Sequence, residues 1–104
     1  MKEITMYGEK IIIVQEKYLS NGNTALEGFL KETGEPFLTF TVNLDYTLPE
    51  NQAFIKNYSE NQGVLGELKL AGVISKILTW EKTGFVHVPL CELDLTDIPK
   101  CRHA

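Results

Sequence analysis

Between Met1 and Val86 this chain contains no histidine and no cysteine; its two residues of each type are His87, Cys91, Cys101 and His103. That absence removes thiol and imidazole chemistry, whether nucleophilic or metal-ligating, from all but the C-terminal end. Other absences narrow the field. No stretch approaches the roughly 18 consecutive apolar residues of a membrane span. The opening MKEITMYGEK lacks the apolar segment of a secretory signal. The expected compartment is therefore the cytoplasm, where thiols stay reduced and a Cys91–Cys101 disulfide is disfavoured relative to metal binding or two free thiols. Positive charge is not in excess: 10 Lys and Arg against 14 Asp and Glu give a formal net charge of -4. That balance argues against binding along a phosphate backbone, and it is too slight for a strong mimic of DNA. A glycine-rich phosphate loop is missing too, because Gly63 and Gly66 lie inside a helical pattern without the Lys-Ser/Thr ending of a P-loop.

What is present is the composition of one globular domain. With 104 residues, 43% hydrophobic and 23% charged, the chain can bury a single core of modest stability. Residues 3–7 and 10–19 are rich in β-formers. Ser20-Asn21-Gly22-Asn23 predicts a hairpin turn with positive φ at both Asn21 and Gly22. Residues 24–31 return as a strand, and Thr33-Gly34-Glu35-Pro36 turns the chain again. Residues 37–44 form the clearest strand, with Leu38, Phe40, Val42 and Leu44 on one face in period two. A loop holding Pro49 leads to a short strand at 53–58.

Residues 59–72 read as a helix. Ser59 followed by Gln62 has the capping-box pattern, and Glu60 suits the helix dipole. Val64, Leu65, Leu68 and Ala71 form a stripe able to lie on a sheet, and Gly72 is a natural stop. Gly63 and Gly66 each weaken a helix by about 1 kcal/mol relative to Ala, so docking must supply stability, and close approach to a strand would account for both. Residues 77–82 and 85–93 form a second hairpin around Thr83-Gly84. Val86, Val88 and Leu90 take one side of its last strand; Phe85, His87, Pro89 and Cys91 take the other. Pro89 cannot donate to a ladder, so this strand is an edge strand or is broken by a bulge. The expected architecture is α+β: an antiparallel β-sheet, made of a meander plus a C-terminal hairpin, with one α-helix packed on one face. It forms a single domain, 1–104, whose tail 94–104 is a candidate for fastening by a metal.

Two Cys and two His are a set that closes a tetrahedral structural zinc site, although H-x3-C-x9-C-x-H is no standard finger spacing. A straight strand separates the Cα atoms of His87 and Cys91 by roughly 13 Å. Sharing one ion through bonds of roughly 2.0–2.3 Å then requires a kink at Pro89. Without it, Cys91, Cys101 and His103 need a carboxylate such as Asp94 or Asp97 as the fourth ligand. The alternative is a half-buried Cys91 and a solvated tail. The expected cofactor of this cluster is one structural Zn2+. Catalysis is not expected, because His103 lies next to the chain end and His87 has no recognisable orienting partner. Phe29, Phe40 and Phe54 read as core. Trp80 and Phe85 flank the last hairpin and Tyr46 sits on the long loop, positions from which exposed aromatics anchor protein interfaces. Glu92, Asp94 and Asp97 form a modest negative patch, the candidate face for docking on a basic partner.

The stretches TFTVNL (39–44), FIKNYSENQGVLGELKLAGVI (54–74) and GFVHVPLCEL (84–93) resemble a family of small uncharacterised proteins carried by phages and integrative elements of Gram-positive bacteria. The resemblance covers most of residues 3–93, excludes the CRHA ending and carries no catalytic residues. It implies a protein of the bacterial host's cytoplasm. Some small proteins from such elements are anti-CRISPR inhibitors of type II systems, zinc-containing ones among them. The expectation is then a non-enzymatic inhibitor that binds guide-loaded Cas9 and blocks target DNA loading, by steric or electrostatic competition at the enzyme's positive channel. It would touch a protein partner, with no direct contact to nucleic acid or membrane. Two other classes stand beside this one. A small-ligand-binding or nucleotide-sequestering protein needs a deep pocket, and a zinc-dependent hydrolase needs an open metal position.

Overall fold

Alternating apolar and polar residues in the first part of the chain produce an antiparallel meander in the computed structural model, which describes residues 2–100. Its strands β1 (Glu3–Met6), β2 (Glu9–Lys17), β3 (Thr24–Leu30) and β4 (Pro36–Thr39) lie side by side in chain order. Ile4, Met6, Ile11, Ile13 and Leu26 are buried, as one face of a period-two pattern should be. Tyr7 (φ 55) and Gly8 (φ 75) form the first turn, with the paired left-handed residues a tight hairpin requires. The second turn departs from the predicted Asn-Gly hairpin. Tyr18 N donates to Asn23 O and Gly22 N to Tyr18 O, both at 2.8 Å, closing a wider loop, and of the pair only Gly22 has positive φ. Asn21 bonds elsewhere: its Oδ1 accepts from Asn23 N at 3.1 Å and its Nδ2 donates to Asn43 Oδ1 at 3.2 Å.

The strand predicted over 37–44 is split between two sheets. β4 ends at Thr39, and β5 (Thr41–Val42) starts a second sheet with β6 (Gln52–Ile55), β7 (Ile74–Thr83) and β8 (Val86–Leu93), in the order β5-β6-β8-β7. Phe40 is the joint. Its N–H donates to Leu26 O in the first sheet and its carbonyl accepts from Lys56 N at the end of the second, each at 2.8 Å. Its ring is fully buried. The predicted alternation is thus real, but the sheet it belongs to changes halfway.

The helix is shorter than 59–72. Ser59–Asn61 make one 3-10 turn, and α1 (Val64–Leu70) begins only after Gly63, whose φ is 93 and which offers no side-chain cap. The capping box therefore does not form. Asn61 is fully buried and donates through Nδ2 to Thr39 O at 2.7 Å, which ties that turn to the end of β4. The left-handed step from there into the helix needs glycine. The apolar stripe is as expected: Val64 and Leu68 are fully buried, while Leu65 and Ala71 pack partly exposed against the same cluster. The helix ends at Gly72 (φ 76). Val73 N donates to Leu68 O and Gly72 N to Lys69 O, the two bonds of a Schellman motif, with Val73 and Leu68 as its apolar contact.

Neither Gly63 nor Gly66 marks a close approach, because open space surrounds the position of an added Cβ at both. Gly28 does mark one: a Cβ there would stand 2.7 Å from Ile11 Cγ2 and 3.0 Å from the Phe40 ring. The segment after β8 is likewise no free tail as far as Lys100. Ile98 is buried, Gln15 N donates to Pro99 O at 2.9 Å, and Gln15 Nε2 donates to Ile98 O at 2.7 Å. This segment, through Pro99, is held on the first sheet by packing and these bonds. Among the described residues no helix is long and apolar enough to cross a membrane.

Gly28→Ala should lower stability by roughly 1–3 kcal/mol, the usual cost of overpacking, seen as a reduced midpoint of urea unfolding with an unchanged slope. An unchanged midpoint would show that the Phe40 ring can move aside.

Candidate functional site

The residues singled out for chemistry fall along β8 and the segment that follows it. His87 is exposed near the turn end of β8, paired in register with Lys82. Cys91 lies four positions further, between Ala53 of β6 and Ile77 of β7, and is fully buried in the main core. β8 runs unbroken from Val86 to Leu93, so the kink required to bring His87 and Cys91 onto one ion is not made. Cys101 and His103 lie outside the described residues. Among the described residues no three of His, Cys, Asp and Glu gather as a metal would need. Cys91 itself is poorly suited to ligation: burial pushes its thiol up to about 11, whereas a metal ligand must be a thiolate.

Pro89 sits where a missing donor is tolerated. β8 is central in order, but β6 pairs with it only over residues 90–92, which leaves 86–89 with β7 as sole partner. In a two-residue hairpin the flanking pair is hydrogen-bonded and the pairs then alternate. Counted from Thr83–Val86, the Trp80–Pro89 pair is non-bonded, and the nitrogen of Pro89 faces away from β7. The strand is locally an edge strand.

The acidic residues serve local structure. Glu92 accepts from Ser75 Oγ at 2.9 Å. Asp94 Oδ1 accepts from Thr96 N at 3.0 Å, and the bonds to Thr96 hold its carboxyl below the usual range. Asp97 is exposed, adopts positive φ (62), and its carbonyl accepts from Lys2 N. They lie at the end of β8 away from the hairpin turn, on an open surface.

The hairpin carries two further features, of which the first, the contacts of Tyr46, lay beyond sequence reasoning. Tyr46, on the long loop, stacks against Phe54 with ring centroids 5.9 Å apart and donates its hydroxyl to Glu81 Oε1 at 2.9 Å. This link braces the β7–β8 arm from one side. The arm's apolar residues also remain uncovered: Leu78 is 38% exposed, Trp80 49% and Phe85 105%. Phe85 follows Gly84 (φ 59) in the turn, the glycine-first pattern of a type II′ turn, whose second position gives a phenyl ring nothing to pack on. Elsewhere Lys56 and Glu60 form an i,i+4 ion pair, which draws the Glu60 carboxyl down to about 2, and the buried Oδ1 atoms of Asn57 and Asn61 have no hydrogen-bond partner. A groove of about 520 Å³, lined by Gly8, Glu9, Lys10, Lys31 and Glu32, is open and charged. It lacks the apolar enclosure of a small-molecule site.

No protein-family model, curated protein or solved structure matches this chain.

The Cys91 environment has a measurable consequence. In a Cys101→Ser variant, Cys91 should react with a thiol-specific disulfide reagent only as fast as the protein unfolds. The folded pKa is raised, so the neutral thiol favours the native state below pH 9 and that contribution is lost as pH climbs toward about 11. Stability measured by urea unfolding should fall across that window and be flatter there in Cys91→Ala. Rapid labelling of the native protein at neutral pH would show the thiol to be accessible.

Proposed function

We propose that the protein is a non-enzymatic binding module that acts by covering a surface of another protein. The observation that carries this reading is Phe85, with its ring wholly in solvent at the tip of a braced hairpin and Trp80 half-exposed behind it. Burying a side chain of that size is worth about 1.5–3 kcal/mol, which folding leaves unclaimed here. Large aromatics on a rigid support are the usual anchors of protein interfaces. The resemblance to mobile-element proteins makes guide-loaded Cas9 the first partner to try, with inhibition by blocking target DNA entry. In that setting Glu92, Asp94 and Asp97, at the far end of β8, offer a second contact suited to the basic rim of the channel. The structural Zn2+ proposed from the C-terminal thiols and imidazoles would rest on Cys101 and His103, with His87 and a carboxylate needed to complete a set of four.

Size-exclusion chromatography with guide-loaded Cas9, followed by a DNA cleavage assay, tests this reading. A co-eluting complex and cleavage that falls in proportion to occupancy are expected. Phe85→Ala should weaken binding by at least about tenfold, the scale of a hot-spot residue, with the melting temperature unchanged because the ring packs on nothing. Unimpaired cleavage at large excess removes Cas9 as the partner. Full binding by Phe85→Ala removes the hairpin tip as the anchor.

A further inference from the structure

Beyond that reading, the other exposed feature of the arm is a strand edge. β7 is ten residues long and closes one side of its sheet, and no described segment pairs with its outer edge. A long free edge is a template for another strand, and its own sequence specifies which strand fits.

The register of β7 against β8 skips at Ser75 and Leu78, so each is an extra residue that shifts the alternation. Trp80 pairs with Pro89 and Ile77 with Cys91, which puts Ile77 and Trp80 on one face although they are three residues apart. Lys76 pairs with Glu92 and Glu81 with Val88, which puts Lys76 and Glu81 together on the other face. The alternation counted from the turn directs the backbone N–H and C=O of Trp80 outward, away from β8. The extra residue at Leu78 resets the count so that those of Ile77 point outward too.

We propose that the occupant of this edge is the β7 strand of a second copy of the chain, antiparallel, with the two-fold axis between Leu78 and Thr79. A two-fold axis relating antiparallel strands of one sheet stands normal to it, so every residue keeps its face, and only residues of the same face can oppose one another. About this axis Ile77 opposes Trp80 of the second copy and Lys76 opposes its Glu81, each pair occurring twice. Ile77 and Trp80 are the residues with outward-directed backbone groups, so they exchange the ladder bonds. Their side chains form an aromatic–β-branched pair, and the charges on the other face are complementary. A shift of one residue would set Lys76 against Lys82 and Ile77 against Glu81 of the second copy, residues of opposite faces, so that register cannot form. Lys76, a charge that discourages an uncharged foreign strand at this edge, is matched by Glu81 of the second copy. The contact covers one strand edge and falls short of the roughly 1,000 Å² of stable interfaces, so the dimer is a transient one.

Sedimentation of the whole protein between about 10 μM and about 1 mM, a range bracketing weak association, should show a reversible monomer–dimer equilibrium. Lys76→Glu alone and Glu81→Lys alone should each weaken the dimer by about tenfold or more, because each sets like charges across the axis twice. The double variant Lys76→Glu/Glu81→Lys should recover at least most of the loss, and thermal unfolding of each variant checks that the monomer is intact. A protein that stays monomeric throughout the range overturns the proposal. So does a dimer indifferent to both single variants, or a double variant no better than the worse single one. Cas9 binding does not enter this measurement, so the two readings can fail separately.

Discussion

The structure depends on one backbone position. Phe40 spends its N–H on the first sheet and its carbonyl on the edge of the second, and so converts a single extended segment into the seam between two sheets. Its neighbours serve the same seam. Thr41 Oγ1 accepts from Leu26 N and bonds the Tyr18 hydroxyl, while Asn61 donates to Thr39 O. The Phe40 ring fills the space that Gly28 leaves open. A side chain at residue 28 or a polar group at residue 40 would act on both sheets at once, since the close-packed interior around them has no slack.

From that seam the second sheet narrows. β6 supports β8 only as far as Leu90, and beyond it β7 and β8 continue as a two-stranded arm. Isolated two-stranded hairpins are marginal in water, so this one needs support. It comes from the loop between β5 and β6, through Tyr46 on Phe54 and on Glu81. The loop is secured in turn by Asn23, whose Nδ2 donates to Tyr46 O and whose Oδ1 accepts from Leu48 N. A polar network centred on one buried asparagine thus holds up an arm whose apolar residues face water.

The strands and the helix stop were legible because they rest on local chemistry. Period two marks β2, β3 and β8, and Gly72 marks the Schellman end. The break at Phe40 was not legible, because alternation continues through it and only the identity of the partner strands changes. The start of α1 was hidden for a related reason. Ser59 and Gln62 have the spacing of a capping box, but burial of Asn61 against Thr39 overrides that local preference. Asn21-Gly22 lost its tight turn in the same way, once Asn21 found a long-range partner in Asn43. At the candidate site, the sequence located the hairpin and its aromatics. It could not assign Cys91 to the core, because a residue's face in a strand does not reveal whether that face is covered.

The inward-facing chemistry of this chain is committed to packing. Its one described thiol is buried and held neutral, and at the end of β8 the side chains of Glu92 and Asp94 accept local bonds. What remains exposed is directional: a phenyl ring at the tip of the arm, and along its edge a strand whose Lys76 and Glu81 are complementary to those of a second copy. The two are separable because they use different groups. The tip offers the side-chain area of Phe85, whereas the edge offers a row of backbone donors and acceptors whose pairing is fixed by register. A partner that needs an apolar anchor would choose the tip, and a strand could add only along the edge. The tip follows from the early end of β6, which leaves β7 and β8 to run on past the core that shaped them, and the edge follows from the place of β7 as the last strand of its sheet.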